Sequence, residues 1–180
     1  AVLGPDVEPD SDAYDLFIRE VAKDVTQKAG QKCTAIRRIF VPKDRLDRVR
    51  EDLVGRVSEV RVGHPALNEV RMGPLATASQ LRDVKAGIER LKKCAQPILG
   101  DGGRGKLLGV EGAKGYFVSP VLFHAGDASA AGAVHEHEVF GPAATLMIYD
   151  GTAAEAVRLV RLGEQLGHMQ EGLRGDAAAM

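Results

Sequence analysis

Cys33 offers the most chemistry of any residue in this chain. It follows Ala29-Gly30, is flanked by Lys32 and by Arg37-Arg38, and precedes the β-rich run Ile39-Phe40-Val41. The thiolate is the nucleophilic form of cysteine, and nearby cations and unengaged backbone N–H groups favour it. Gly30 permits the tight turn that presents a side chain at the edge of a strand. The same spacing fits an inert thiol that fills space, the ordinary fate of a lone cysteine, and spacing alone leaves both readings open. Cys94 closes a helical apolar stripe and reads as packing.

Two other clusters invite chemistry but lack its context. Gly100-Asp101-Gly102-Gly103-Arg104-Gly105 satisfies G-x-G-x-x-G, and with Lys106 it satisfies most of a phosphate-loop pattern. Both motifs require a helix to begin there, because its first N–H groups hold the phosphate. No helical stripe follows, and Leu107 replaces the Ser or Thr that would meet Mg²⁺, so the segment is expected to be a loop or hairpin. His135-Glu136-His137-Glu138, read as extended chain, puts both histidines on one face and both glutamates on the other. No third ligand stands at a suitable spacing, so a solvated polar edge is expected and no metal site. No serine lies in a G-x-S-x-G turn.

The elements that must position these residues follow from periodicity. Residues 1–10 carry Gly4, Pro5 and Pro9 and read as a loop. Ser11 is a candidate N-cap for a helix whose stripe includes Ala13, Leu16, Phe17, Val21 and Val25 and which ends at Gly30. Arg37 to Val41 is a strand stopped by Pro42. A second helix opens at Pro42-Lys43-Asp44 with Leu46, Val49, Leu53 and Val57 on one face. A third covers about 78–94 with Leu81, Val84, Ile88 and Leu91. Pro97 to Leu99, Tyr116 to Val118 and Val121 to Phe123 read as short strands, Ala144 to Tyr149 as the clearest strand, and Thr152 as the cap of a last helix. Helices alternating with short apolar strands define an α/β fold with a mostly parallel sheet.

Composition narrows the class. The 180 residues hold 24 Lys plus Arg against 25 Asp plus Glu, a net charge of −1 that argues against a nucleic-acid or polybasic membrane partner. No apolar run approaches the ~18 residues needed to span a bilayer. With 44% hydrophobic and 27% charged residues the chain has an ordinary globular composition, and its two cysteines make no disulfide framework, so a reducing cytoplasm is the default. The chain starts without an initiator Met and reads as a piece of something longer.

Four segments together resemble the aldehyde dehydrogenase superfamily. Gly30-Gln31-Lys32-Cys33 followed by Arg38-Ile39-Phe40-Val41-Pro42 resembles its catalytic-cysteine segment. Arg71-Met72-Gly73-Pro74-Leu75 resembles its M-G-P-L turn, Gly115-Tyr116-Phe117-Val118-Ser119-Pro120 its G-Y-F-x-x-P strand, and Glu138-Val139-Phe140-Gly141-Pro142 its E-x-F-G-P motif. The wording of Ala29 to Arg38, with Leu3-Gly4-Pro5-Asp6, is similar to the aldehyde dehydrogenase half of bifunctional ring-opening enzymes of phenylacetate degradation. The resemblance implies a three-layer α/β/α catalytic domain with a mostly parallel sheet, incomplete, over residues 1–163, and a non-matching tail over 164–180.

It also implies roles. Cys33 would attack an aldehyde carbon and pass through a thiohemiacetal and a thioester to the acid, with NADP or NAD as acceptor. The aldehyde would be a small molecule, by this resemblance a CoA-linked semialdehyde. Glu138 would take hydrogen bonds from the nicotinamide-side ribose, and Phe140 would wall the nicotinamide region. The full-length protein would be a homo-oligomer. Departures are equally specific. Thr26 stands where the family has an aromatic or aliphatic residue. The general-base Glu, the Asn of the oxyanion hole and the dinucleotide-binding half would precede Ala1, so the isolated fragment is expected to turn over poorly or not at all. Two alternatives stay open: a non-catalytic structural module of the same fold, and a cysteine hydrolase or acyl-transfer domain, which would need a histidine within reach of Cys33.

Overall fold

A computed structural model of the chain describes residues 1–163. Apolar periodicity builds three layers. The first helix, α1 (Asp12–Thr26), is capped by Ser11, whose side chain accepts from the Tyr14 N–H at 3.2 Å. It buries Tyr14, Ile18, Val21 and Val25. Beyond the first strand a short 3-10 turn, Lys43–Arg45, leads to α2 (Leu46–Ser58), which buries Val49, Leu53 and Val57. The Tyr14 hydroxyl donates to Asp52 Oδ2 at 2.7 Å and joins the two helices. Together they cover one face of the sheet, meeting Ile39, Val41, Leu122, Ala144 and Leu146.

The sheet consists of β1 (Arg38–Pro42), β2 (Gln96–Leu99), β3 (Val121–Ala125) and β4 (Ala143–Tyr149), in the order β1-β4-β3-β2. β1 and β3 both run parallel to β4, with Ile39 opposite Leu146 and Phe123 opposite Thr145. β2 is the antiparallel edge. The second face carries Phe40, Phe123, Ala125 and Met147. It is covered by α3 (Ala78–Leu91) and by helical residues 153–163, called α5 after the short α4 (Gly132–Glu136). Each face takes alternate residues of β1, β3 and β4, as the pleat requires, and the expected α/β/α layering with a mostly parallel sheet is present. A Thr77–Gln80 capping box starts α3.

Four local expectations are corrected. Residues 1–10 are not all loop: Val2 bridges Phe40 in parallel, and the Leu3 N–H donates to Phe40 O at 2.9 Å. β1 would otherwise present unpaired backbone groups, and the buried Leu3, whose carbonyl accepts from the Tyr149 hydroxyl at 2.6 Å, fixes the segment there. Tyr116 bridges Leu75 outside the main sheet, which resumes only after Pro120. The third helix stops at Leu91 and not near 94. Residues 132–136 form α4, so the start of the His135–Glu138 run is helical where extended chain was expected. Asp127 Oδ1 accepts from the Ser129 and Ala130 N–H groups and turns the chain, and Val134 is buried.

No helix among the described residues is long and apolar enough to cross a membrane. The expected tail at 164–180 lies outside the described residues.

Candidate active site

The loop bearing Cys33 is held in an unusual backbone path. α1 ends at Thr26 and not at the expected Gly30: the buried Thr26 hydroxyl donates back to Ala22 O at 2.8 Å, a bond that competes with further helix. The next turn contains Lys28 at φ 53, Ala29 at φ 52 and Gly30 at φ 69. Left-handed backbone costs about 1–2 kcal/mol for a residue with a Cβ. Local bonds offset part of that cost: the Gln31 backbone N–H and its side-chain amide both donate to Lys28 O at 3.1 Å. The Gln31 side-chain oxygen accepts from the Ala76 N–H at 3.1 Å, tying the loop to the segment after the M-G-P-L turn.

Asp24 anchors the other side of the loop. Its carboxylate takes the Lys32 ammonium and, at 2.6 Å, the Ile36 N–H. Burial pushes this carboxyl up, but the Lys32 contact and the Ile36 amide outweigh burial and hold it below its ordinary value. Cys33 itself is exposed and unpaired. Among the described residues its own backbone N–H donates to no protein acceptor.

Gly30 lies directly on the backbone of Gly141 and Pro142, so closely that a Cβ would overlap the Gly141 carbonyl. The Glu138–Pro142 segment therefore abuts the cysteine loop. It is braced from behind by α3, where Gly141 faces Val84 and Gly87 faces Val139. Arg37 bridges the two segments. Its Nη1 donates to Gly141 O at 2.7 Å and its Nη2 to Gly30 O at 2.5 Å, with a longer contact to Lys32 O at 3.4 Å. The guanidinium lies 6.0 Å from the Phe140 ring centroid, and Nε is 3.8 Å from Glu138 Oε1. Burial lowers the Arg37 pKa, opposed by Glu138 and Asp24.

A cleft of about 510 Å³ opens over this arrangement, lined by Cys33, Arg37, Arg38, His135, His137 and Glu138 among others. Glu138 and Phe140 thus fall beside the Cys33 loop, although more than a hundred residues of sequence separate them. The His-Glu run does not alternate on an extended edge. α4 turns His135 inward, where Nε2 contacts Ala128 O at 2.6 Å and Nδ1 contacts Arg38 Nη1 at 3.1 Å. Burial lowers the His135 pKa, with Arg38 acting the same way and the Ala128 carbonyl opposing. No histidine nitrogen hydrogen-bonds Cys33 among the described residues, and no group of three His, Cys, Asp or Glu converges there to hold a metal.

The remaining sequence candidates behave as packing or loop. Cys94 is partly buried and contacts Leu91 O at 3.6 Å. No helix begins at the glycine cluster, and Arg104 there donates to the carbonyls of Ala113, Lys114 and Gly115. Sequence reasoning missed Arg37 as a bridge and Asp24 as an anchor. In the sequence Arg37 is only a positive charge near the thiol, and a single carboxylate on a helix carries no spacing signal.

The layered sheet with this loop and turn at one edge is the aldehyde dehydrogenase catalytic-domain architecture. The backbone matches that of the HpcC protein from Thermus thermophilus with a TM-score of 0.77 at 23% identity, over 89% of this chain and 30% of that one. An aldehyde dehydrogenase from Bacillus cereus, solved as its E194S mutant, matches with a TM-score of 0.74 at 28% identity, over 88% of this chain and 30% of that one. The sequence model of the aldehyde dehydrogenase family matches residues 7–161, and the chain belongs to that family. A 3,4-dehydroadipyl-CoA semialdehyde dehydrogenase from Aromatoleum evansii is 35% identical over 163 residues. That alignment takes in 91% of this chain and 32% of the relative, so the chain spans about a third of the relative's length.

Proposed function

We propose that this chain is the cysteine-bearing portion of an NAD(P)-dependent aldehyde dehydrogenase that oxidises a CoA-linked semialdehyde of aromatic-acid breakdown, of the phenylacetate type, to its acid. The observation that carries the reading is the single cleft shared by an exposed Cys33 and a half-exposed Glu138, their two segments joined through Arg37. The 35% identity to a dehydrogenase named for a CoA semialdehyde supports the substrate class. An aldehyde dehydrogenase from Mycobacterium tuberculosis, 26% identical, was solved with NAD⁺ and supports the cofactor class.

The residues present fit a nicotinamide nucleotide. Glu138 is 55% exposed and engaged only in a loose ion pair, so its lone pairs are available to hydroxyl donors such as a ribose diol. Phe140, exposed beside it, offers an apolar wall. When bound, the nucleotide supplies the hydride acceptor. Cys33, as thiolate, adds to the aldehyde carbon and gives a thiohemiacetal whose oxyanion can take the unengaged Cys33 N–H. Oxidation leaves a thioester on the same sulfur, and water releases the acid and frees Cys33.

The hydrolase alternative is disfavoured because, among the described residues, no histidine of the cleft hydrogen-bonds Cys33, and His135 has both ring nitrogens engaged elsewhere. In the full-length protein that carries this chain, Cys33→Ser lowers NAD(P)H formation from a CoA-linked semialdehyde by about 10⁴-fold, while Cys94→Ser leaves it unchanged. Equal activity of the Cys33→Ser variant and the parent would refute the assignment and favour a structural module. Nucleotide-independent thioester hydrolysis would favour the hydrolase.

A further inference from the structure

We propose that Arg37 is a positioning residue that fixes the Cys33 loop against the Glu138–Phe140 segment and transmits nucleotide engagement at Glu138 to the thiol. The inference rests on the roles proposed above for Cys33 and Glu138.

The geometry separates Arg37 from a general surface cation. Its side chain is only 15% exposed, whereas Glu138 beside it is 55% exposed. Its two Nη atoms are committed to carbonyls on both segments, Gly30 and Lys32 on one and Gly141 on the other. A planar guanidinium spans such a set because its donors diverge in one plane, and a lysine ammonium cannot reproduce that fork. Gly30 and Gly141 already touch through backbone, so any drift of one segment relative to the other strains both guanidinium bonds.

The third donor is uncommitted. Nε is buried and makes no hydrogen bond, and Glu138 Oε1 stands 3.8 Å away, beyond bonding distance. A shift of about 1 Å in that carboxylate toward Arg37 makes an Nε–H···O bond. Hydroxyl donors that settle Glu138 inward therefore add a bond to a group whose other bonds end at Gly30, Lys32 and Gly141. Gly30 and Lys32 flank Cys33 closely, and a misplacement of about 1 Å at a reacting centre costs on the order of 10²-fold.

The test uses the full-length protein carrying this chain. Cys33 alkylation by iodoacetamide is followed by peptide mass spectrometry with and without saturating NAD⁺ or NADP⁺, together with the nucleotide KM and the Tm. In the parent protein the nucleotide is expected to change the Cys33 rate by at least about fivefold, the lower end of measured coupling between sites. In Arg37→Lys that response is expected to vanish and the nucleotide KM to rise about tenfold, with Tm kept within a few degrees. Glu138→Gln, with Arg37 intact, is expected to lose the response at saturating nucleotide too, and if Arg37→Lys fails to fold, a Glu138→Gln protein that keeps the parental response overturns the coupling.

An Arg37→Lys protein that keeps both the parental response and the parental KM overturns the proposal and leaves Arg37 as structural glue. A parent that turns over nucleotide without any change at Cys33 overturns the coupling while the dehydrogenase reading stands. A parent that neither binds nor reduces nucleotide overturns both.

Discussion

Arg37 donates to the carbonyls of Gly30, Lys32 and Gly141 and stacks on Phe140, while Arg104 donates to those of Ala113, Lys114 and Gly115 and stacks on Phe117 at 5.3 Å. Both regions use left-handed backbone, Lys28, Ala29 and Gly30 ahead of Arg37 and Gly102, Gly105, Gly109, Gly112 and Gly115 around Arg104. The difference lies in reach and company. Arg104 closes a loop onto itself across 9 to 11 residues, whereas Arg37 joins a segment 7 residues back to one 104 residues ahead. Arg37 is accompanied by a thiol and a carboxylate in one cleft. The cavity near Arg104's loop is larger, about 680 Å³, but no cysteine lines it, and the His64 Nδ1 there already accepts from the Ala66 N–H. Volume alone does not define a site; convergent reactive groups do.

The largest contrast should appear in the glycines. At Gly30 a Cβ meets both a left-handed φ and the Gly141 backbone, so Gly30→Ala should destabilise the fold by about 3 kcal/mol. Gly112 is equally left-handed, at φ 59, yet has open space around it, and Gly112→Ala should cost about 1 kcal/mol. Urea unfolding of both variants measures the gap, and equal costs would mean that the Gly30–Gly141 approach adds nothing.

A smaller effect is expected at Arg104. Its bonds are solvent-exposed, so Arg104→Ala should cost about 1 kcal/mol in the same assay and leave the full-length protein's turnover unchanged. A loss of turnover there would erase the distinction between the two arginines.

The smallest effect is a pH dependence confined to the cleft side. Burial holds His135 below its ordinary value, and unfolding restores that value. Between the two values the unfolded chain binds the extra proton, so this contribution is intact above about pH 6.5 and is lost as pH falls through that point toward the lowered folded value. His135→Asn should flatten the acid side of a Tm profile taken from about pH 8 to about pH 5. An unchanged slope would place the acid sensitivity elsewhere, His124 being the next candidate because burial lowers it too.

The long elements were legible because burial of one face imposes a period on the residues that supply it. α1, α2 and α3 show their stripes, and β4 shows its continuous apolar run, since both of its faces are covered. α4 was not legible: its Gly132-Ala133-Val134 start has no stripe, and it forms because Asp127 turns the chain. The pairing of Val2 with Phe40 was hidden for the same kind of reason, because a free strand edge recruits whatever backbone lies beside it.

By itself the sequence determined which side chains could react or bind: the thiol of Cys33, the carboxylate of Glu138 and the apolar ring of Phe140, each embedded in a motif that resembles one family. Tertiary structure alone decided that Cys33 and Glu138 line one cleft, with Phe140 on the segment beside it, and that Arg37 joins the two segments. Reactive side chains are written in the residue types, so a linear reading finds them. Backbone carbonyls are common to every residue, so the acceptors at Gly30, Lys32 and Gly141 that give Arg37 its place have no sequence signature until the chain has folded.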